Sequence, residues 1–288
     1  MKILITGATG FIGSNLINAL KSEPYEILAV KRSKDSKPRI ALKNTNIEWI
    51  VKQLQEFSTA DLKGIEAIIH LASHSTNFPY DNLQNCVQEN VINHSLFIQK
   101  AIAADIKHFI IAGSCFEYGL SGLDFDFIPV TAKLKPIGTY ATSKAMSFMA
   151  FQEIFRGTNC TVRYERLFHV FGEGELESRL WPTLKHHAEQ GIDIDLTLGE
   201  QIRDFIHVQE VANHFLLRIN EILDKSNKSN FLVSNVGTGN PQSIREFCEY
   251  WWRKWNAKGK LNFGAIPYRE KEIFRFVPQI EKYKMNET

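Results

Sequence analysis

The sequence has few cysteines and almost no charge imbalance. Its four cysteines, Cys86, Cys115, Cys160 and Cys248, are widely spaced and form no CxxC pair. That argues against a disulfide framework or a zinc site and fits a reducing compartment. Lys and Arg number 34 against 32 Asp and Glu, a formal net charge of +2, so no basic field marks the chain for nucleic acid. No uninterrupted apolar run approaches the roughly 20 residues of a membrane helix. The opening MKILITG reads as a strand rather than a signal peptide. Internal repeats and low-complexity tracts are also missing. From these absences we expect a cytoplasmic protein with no nucleic-acid, membrane or metal partner. What is there is ordinary for a globular chain: 44% hydrophobic and 23% charged residues over a length of 288, enough to bury a large core unaided.

Short β-branched runs alternate with helix-period segments, the pattern of a parallel sheet covered by helices. Strands are predicted over KILIT (2–6), EILAV (26–30), AIIHLA (67–72), HFIIA (108–112) and TVRYERL (161–167). They show little polar alternation, as strands buried on both faces do. Helices are predicted over 12–21, 83–104 and 139–156. Beyond residue 172 the texture changes: helical segments 177–190, 208–223 and 243–257 are separated by the short pieces IDLTL and NFLVSNV. DKSNKSN (224–230) reads as an exposed loop.

TGATGFIG (6–13) follows the first strand and opens a helix. Gly7, Gly10 and Gly13 let the backbone turn sharply and come close to a pyrophosphate. Thr9, Phe11 and Ile12 lie between them, where the helix N-terminus offers free N–H groups and the positive end of its dipole. The bland alternative is a simple glycine-rich turn.

With YATSK at 140–144, this G-x-x-G-x-x-G turn resembles the extended short-chain dehydrogenase/reductase family, also called the NAD-dependent epimerase/dehydratase family. HLAS (70–73), GEQIRDFIHV (199–208) and NVGTGNPQSIREF (235–247) extend the resemblance over nearly the whole chain. It implies a Rossmann-type α/β fold, a doubly wound parallel sheet over residues 1–172 that also takes segments back from the C-terminal half. Residues 173–288 would form a smaller, mixed α/β part that binds a nucleotide sugar. It further implies cofactor contacts at Leu71, Ala72, Ser73, Asn90 and Leu167, and a homodimer through the helices at 83–104 and 139–156.

In a dinucleotide fold an acid near the end of strand two binds the NAD ribose, while an arginine there favours the NADP phosphate. Here VKRSKDSK places Lys31 and Arg32 at that point, with Ser33 as a further donor. NADPH is therefore the expected cofactor, with NADH as the alternative. The cluster also fits a solvated strand end, and Asp35 could reach a ribose if the loop folded back.

Tyr140 and Lys144 are four apart, so on a helix they share a face. A tyrosine is a poor base near its free pKa of about 10, and a lysine ammonium beside it favours phenolate. In the reductive direction the same phenol donates a proton to a carbonyl oxygen. The resemblance assigns a third member to GSCFEYG (113–119), where Ser114 takes the slot of the family hydroxyl and would hydrogen-bond the substrate carbonyl. Cys115 as a nucleophile is the alternative, although a thiol after a buried strand is more often packing. Glu117 and Tyr118 read as structural.

The family's 4,6-dehydratases carry Asp-Glu directly after that hydroxyl. Here Cys115 and Phe116 stand in those places and can do neither job. Ring epimerisation of the GDP-fucose synthase type is also disfavoured, because the expected histidine slot in ESRLWP reads Arg179. What remains is 4-keto reduction of a nucleotide-linked 6-deoxyhexose. The alternatives are an NAD-retaining 4-epimerase and, in a different class, a non-catalytic NADP sensor. On the substrate side the resemblance adds Arg203 and Arg269 for a diphosphate, with a plain salt bridge as the alternative for each, His169 near the sugar or as a structural histidine, and Arg179 facing the phosphates.

Overall fold

The computed structural model describes residues 1–44, 46–223, 230–268 and 272–280. The first half alternates strand and helix: β1 (Lys2–Thr6), α1 (Phe11–Ala19), β2 (Glu26–Lys31), β3 (Ile47–Val51), β4 (Ala67–His70), α2 (Leu83–Val87), α3 (His94–Ala103), β5 (His108–Ser114), α4 (Thr139–Phe155) and β6 (Thr161–Leu167). The second half runs through β7 (His169–Phe171), α5 (Leu180–Gln190), β8 (Ile194–Leu196), β9 (Ile202–Arg203), β10 (Phe205–His207), α6 (Val208–Leu223), β11 (Phe231–Val236), β12 (Gln242–Ser243), α7 (Ile244–Lys254), β13 (Leu261–Phe263) and β14 (Arg275–Phe276).

Seven strands form one parallel sheet in the order β11-β6-β5-β4-β1-β2-β3. The chain winds outward from β1 in one direction to β3, then crosses back to β4 on β1's other side. That reversal opens a crevice beyond the carboxyl ends of β1 and β4, the place where open α/β sheets bind ligands. One face of the sheet packs on α1 and α6 through Leu16, Ile17, Val211, Phe215 and Ile219. The other packs on α3 and α4 through Phe97, Ile98, Phe148 and Phe151. A separate cluster of Leu184, Ile194, Cys248 and Trp252 joins α5 to α7.

The central strands follow their apolar runs because both faces are covered. β3 lacked that signal: it is an edge strand whose residues are half-buried or exposed, and Glu48 interrupts its short apolar run. The helix expected over 83–104 is interrupted by a π-helical turn at Gln88–Asn93, a feature that often marks functional sites. β4 ends at His70, because the amides of Leu71 and Ala72 turn back to the Thr6 carbonyl and hydroxyl. Apart from Asn230, the loop expected at 224–230 lies outside the described residues. No described helix is long and apolar enough to cross a membrane.

Candidate active site

Three glycines shape the floor of the crevice. Gly7 has φ +66°, and a Cβ there would sit 2.7 Å from the Ala72 nitrogen. A Cβ on Gly13 would come within 2.3 Å of the Gly7 carbonyl oxygen. The Gly10 amide donates to that same oxygen at 2.9 Å. α1 starts without a side-chain cap, so its first N–H groups face the crevice with the helix dipole behind them. Above the turn lies a cavity of about 420 Å³ that Gly7, Thr9, Gly10, Phe11, Ile12 and Gly13 line on one side and Leu71, Ala72, Ser73 and Leu167 on the other. A Cβ-intolerant turn, an uncapped helix start and a cavity at the switch point fit a dinucleotide.

Asn90 and Ser33, both expected on the cofactor, do not line this cavity. Asn90 is buried, accepts from the His74 amide at 2.7 Å and donates to the His74 carbonyl and the Ser143 hydroxyl. It pins the segment after β4 to the π-turn and α4. The Ser33 hydroxyl lies 3.1 Å from that of Ser36. Lys31 and Arg32 do line the cavity, at the end of β2. The sequence reading missed Arg39, which joins them there through a loop whose Arg39 amide donates to the Thr9 carbonyl at 3.1 Å. Neither Arg32 nor Arg39 forms an ion pair with a described residue, whereas nearby Lys52 is held by Asp61 at 2.7 Å. Asp35 is exposed and does not line the cavity.

Ser114 is the last residue of β5, and its hydroxyl accepts from the Phe116 amide at 3.2 Å. Tyr140 opens α4 and is 8% exposed. Burial pushes its phenol up to about 12, against the pull of the Ser73 and Ser114 hydroxyls beside it. The Ser73 hydroxyl is itself buried and, beyond its approach to the Tyr140 phenol, has no hydrogen-bond partner among the described residues. Lys144 is also buried. Its ammonium donates to the Ala112 carbonyl at 2.9 Å, and burial lowers its pKa against the opposing charge of Glu117. Burial thus outweighs the neighbouring hydroxyls and disfavours the phenolate. The ring of Tyr80 stacks on Tyr140 with centroids 5.6 Å apart, and Phe116 meets it edge-on at 6.4 Å.

The wall opposite contains Cys115, Phe116, His169 and Arg179. Cys115 packs with Tyr118, Ile128, Phe168 and Phe276, and burial drives its thiol far up, so it is no nucleophile. His169 sits among Phe116, Phe205 and Phe276. Its Nδ1 is buried and unpartnered, and burial with nearby Arg203 and Arg179 keeps the ring neutral. Arg179 lies 3.5 Å from Glu175, a second residue that the sequence reading missed. One oxygen of Glu175 is buried without a partner, and burial pushes its carboxyl up to about 7. Buried orphan polar atoms each cost about 1–3 kcal/mol. Ser73, His169 and Glu175 each present one, and all three line the same cavity, as expected of a surface shaped for a polar ligand.

Arg203 does not line the cavity. It pairs with Glu272 at 2.7 Å and donates to the Ile202 carbonyl at 2.9 Å. Arg269 lies outside the described residues.

Residues 3–236 match the model of the NAD dependent epimerase/dehydratase family. Two curated proteins named CDP-abequose synthase, from Salmonella muenchen and Salmonella typhimurium, are 29% and 28% identical to the chain. Each comparison covers 94% of this chain and 87% of the relative. Among solved structures, a UDP-glucose-4-epimerase from Stenotrophomonas maltophila, with bound NAD and a formylated UDP-arabinopyranose, superposes with TM-score 0.85 at 20% identity over 96% of this chain and 89% of that one. A UDP-N-acetylglucosamine 4-epimerase from Methanobrevibacter ruminantium gives 0.84 at 21%, over 97% and 89%. At these identities the structures share the fold.

Proposed function

Because the chain belongs to the NAD dependent epimerase/dehydratase family, we propose that it is an NADPH-dependent reductase of the C4 keto group of a nucleotide-activated 4-keto-6-deoxyhexose. The observation that carries this reading is the placement of Tyr140: its buried phenol lines the crevice beside the Ser114 hydroxyl, on a helix that Lys144 ties to the end of β5. The neighbouring positions supply no acid and base for dehydration, since Phe116 is apolar and the Cys115 thiol is driven far up. Similarity to two enzymes named for a CDP-linked sugar supports a nucleotide-sugar substrate.

The glycine turn and the start of α1 would hold the pyrophosphate, with Lys31, Arg32 and Arg39 near the adenosine ribose. When bound, the nicotinamide supplies the hydride. Ser114 would orient the substrate carbonyl, and Tyr140 would donate its proton to the carbonyl oxygen. Lys144 keeps α4 against β5 and would bring a positive charge toward that oxygen. His169 and Arg179 would contact the sugar nucleotide. Residues 1–172 would serve as the cofactor part and 173–288 as the substrate part. A homodimer through α2–α3 and α4 suits their exposed Leu83, Ile92, Leu96 and Met149; sedimentation showing only a 33.0 kDa species would remove it.

The test is stoichiometry with a nucleotide-linked 4-keto-6-deoxyhexose. A reductase consumes one NADPH for each product formed, whereas a 4-epimerase would turn sugar over without consuming any.

A further inference from the structure

Directly behind Ser114 lies a buried carboxylate that the proposed reaction does not use. In the run SCFE, Ser114 and Glu117 form a capping box over the short 3-10 turn Cys115–Glu117. Glu117 is 0% exposed. One of its oxygens accepts from the Ser114 amide at 2.8 Å and from the Tyr164 hydroxyl at 2.7 Å. The other accepts from Arg166 Nε at 2.8 Å. Arg166 is held in turn by the Tyr118 hydroxyl and the Val130 carbonyl, and its guanidinium lies 4.4 Å over the ring of Phe148. Packing around the turn is tight: a Cβ on Gly113 would stand 2.4 Å from the Tyr164 ring and 3.0 Å from the Glu117 carboxylate.

A buried ion pair is weak evidence for stability, since well-packed apolar residues often do as well. Its placement therefore calls for another explanation, and the geometry supplies one. We propose that Glu117 is a positioning residue for the Ser114–Tyr140 pair: its carboxylate fixes the turn that carries Ser114 and sets a negative charge behind the phenol. The charged and titratable groups facing that carboxylate are Arg166 and Tyr164 from β6, Cys115 and Tyr118 from its own turn, and Tyr140 and Lys144 from α4. Its charge favours the protonated form of both Tyr140 and Lys144, so the ionisation of Tyr140 reports whether the carboxylate is in place.

This inference rests on the reductase reading, so its test includes a measurement that needs no turnover. Tyr140 ionisation is followed by phenolate absorbance after rapid jumps to alkaline pH, each protein being subtracted from its Tyr140→Phe partner. Glu117→Gln should move the ionisation to lower pH by about one unit. Because Gln leaves Arg166 unpaired, the apolar triple Glu117→Val/Tyr164→Phe/Arg166→Met is measured alongside and should shift the same way by a smaller amount, since the opposing charge of Arg166 is removed with it. In turnover, either variant should lower kcat about 10-fold or more, with KM for NADPH within about twofold. In a Ser114→Ala background the same change should cost almost nothing further. Unshifted ionisation, or an equal loss of kcat with and without Ser114, would overturn the proposal. A wild type that reduces no keto sugar, with the ionisation shift present, would overturn the reductase reading and support this one.

Discussion

The ammonium of Lys144 donates to the carbonyl of Ala112 at 2.9 Å, which ties the helix bearing Tyr140 to the strand that ends in Ser114. The lysine is therefore both a charge and a clamp, and the two roles separate by mutation. Tyr140→Phe keeps the clamp and should lower kcat by about 10²- to 10⁴-fold, with the dissociation constant for NADPH unchanged in a fluorescence titration. Lys144→Met removes both and should weaken cofactor binding as well as kcat. Equal cofactor affinity in the two variants would show that the clamp does not matter to the cofactor site.

The proposed preference for NADPH rests on two cations that form no ion pair with a described residue. Arg32 and Arg39 both border the cavity near the end of β2. A charge-assisted hydrogen bond to a phosphate is worth about 1.5–3 kcal/mol. Arg32→Ala should then reduce kcat/KM for NADPH about 10-fold or more and leave that for NADH nearly unchanged, and Arg39→Ala should act in the same sense. A preference unaltered in both variants would reassign the strand end to solvent.

Glu175 predicts a pH dependence of stability. Its carboxyl is raised from 4.5 to about 7 in the folded protein, so the folded state keeps its proton longer than the unfolded chain does. Unfolding between those pH values releases a proton, and stability must fall as pH rises through that window. Glu175→Gln, which cannot ionise, should lack this fall. Above pH 7 it should exceed the wild type by on the order of 2–3 kcal/mol, and below about pH 4.5 the difference should vanish. Denaturant melts across this range check the sign; a wild type that gained stability relative to the variant on going from acid to neutral pH would refute it.

The core of the fold was legible because strands buried on both faces must be apolar throughout, as in KILIT and HFIIA. β3 was not, because an edge strand half open to solvent mixes Glu48 with Trp49 and loses the signal. The proposed trio drew on two kinds of signal. Tyr140 and Lys144 share one helix face, a local relation, whereas Ser114 was assigned by resemblance, five residues before Gly119. The burial of Tyr140, which disfavours its phenolate, was not readable, because it depends on how the chain packs around the ring. Arg39 and Glu175 escaped notice because they reach the cavity from loops, where no periodicity announces a direction. Arg203 shows the converse: it sits in a motif that resemblance assigns to substrate, and in the folded chain it pairs with Glu272 at 2.7 Å.

The most direct test of the central claim is isotopic. The protein is incubated with a nucleotide-linked 4-keto-6-deoxyhexose and NADPH deuterated at nicotinamide C4 on the transferred face, and the product is read by NMR and mass spectrometry. The account predicts one deuterium at sugar C4 and one NADPH oxidised per product molecule. Product that carries no deuterium, or that forms with no net oxidation of NADPH, would contradict it.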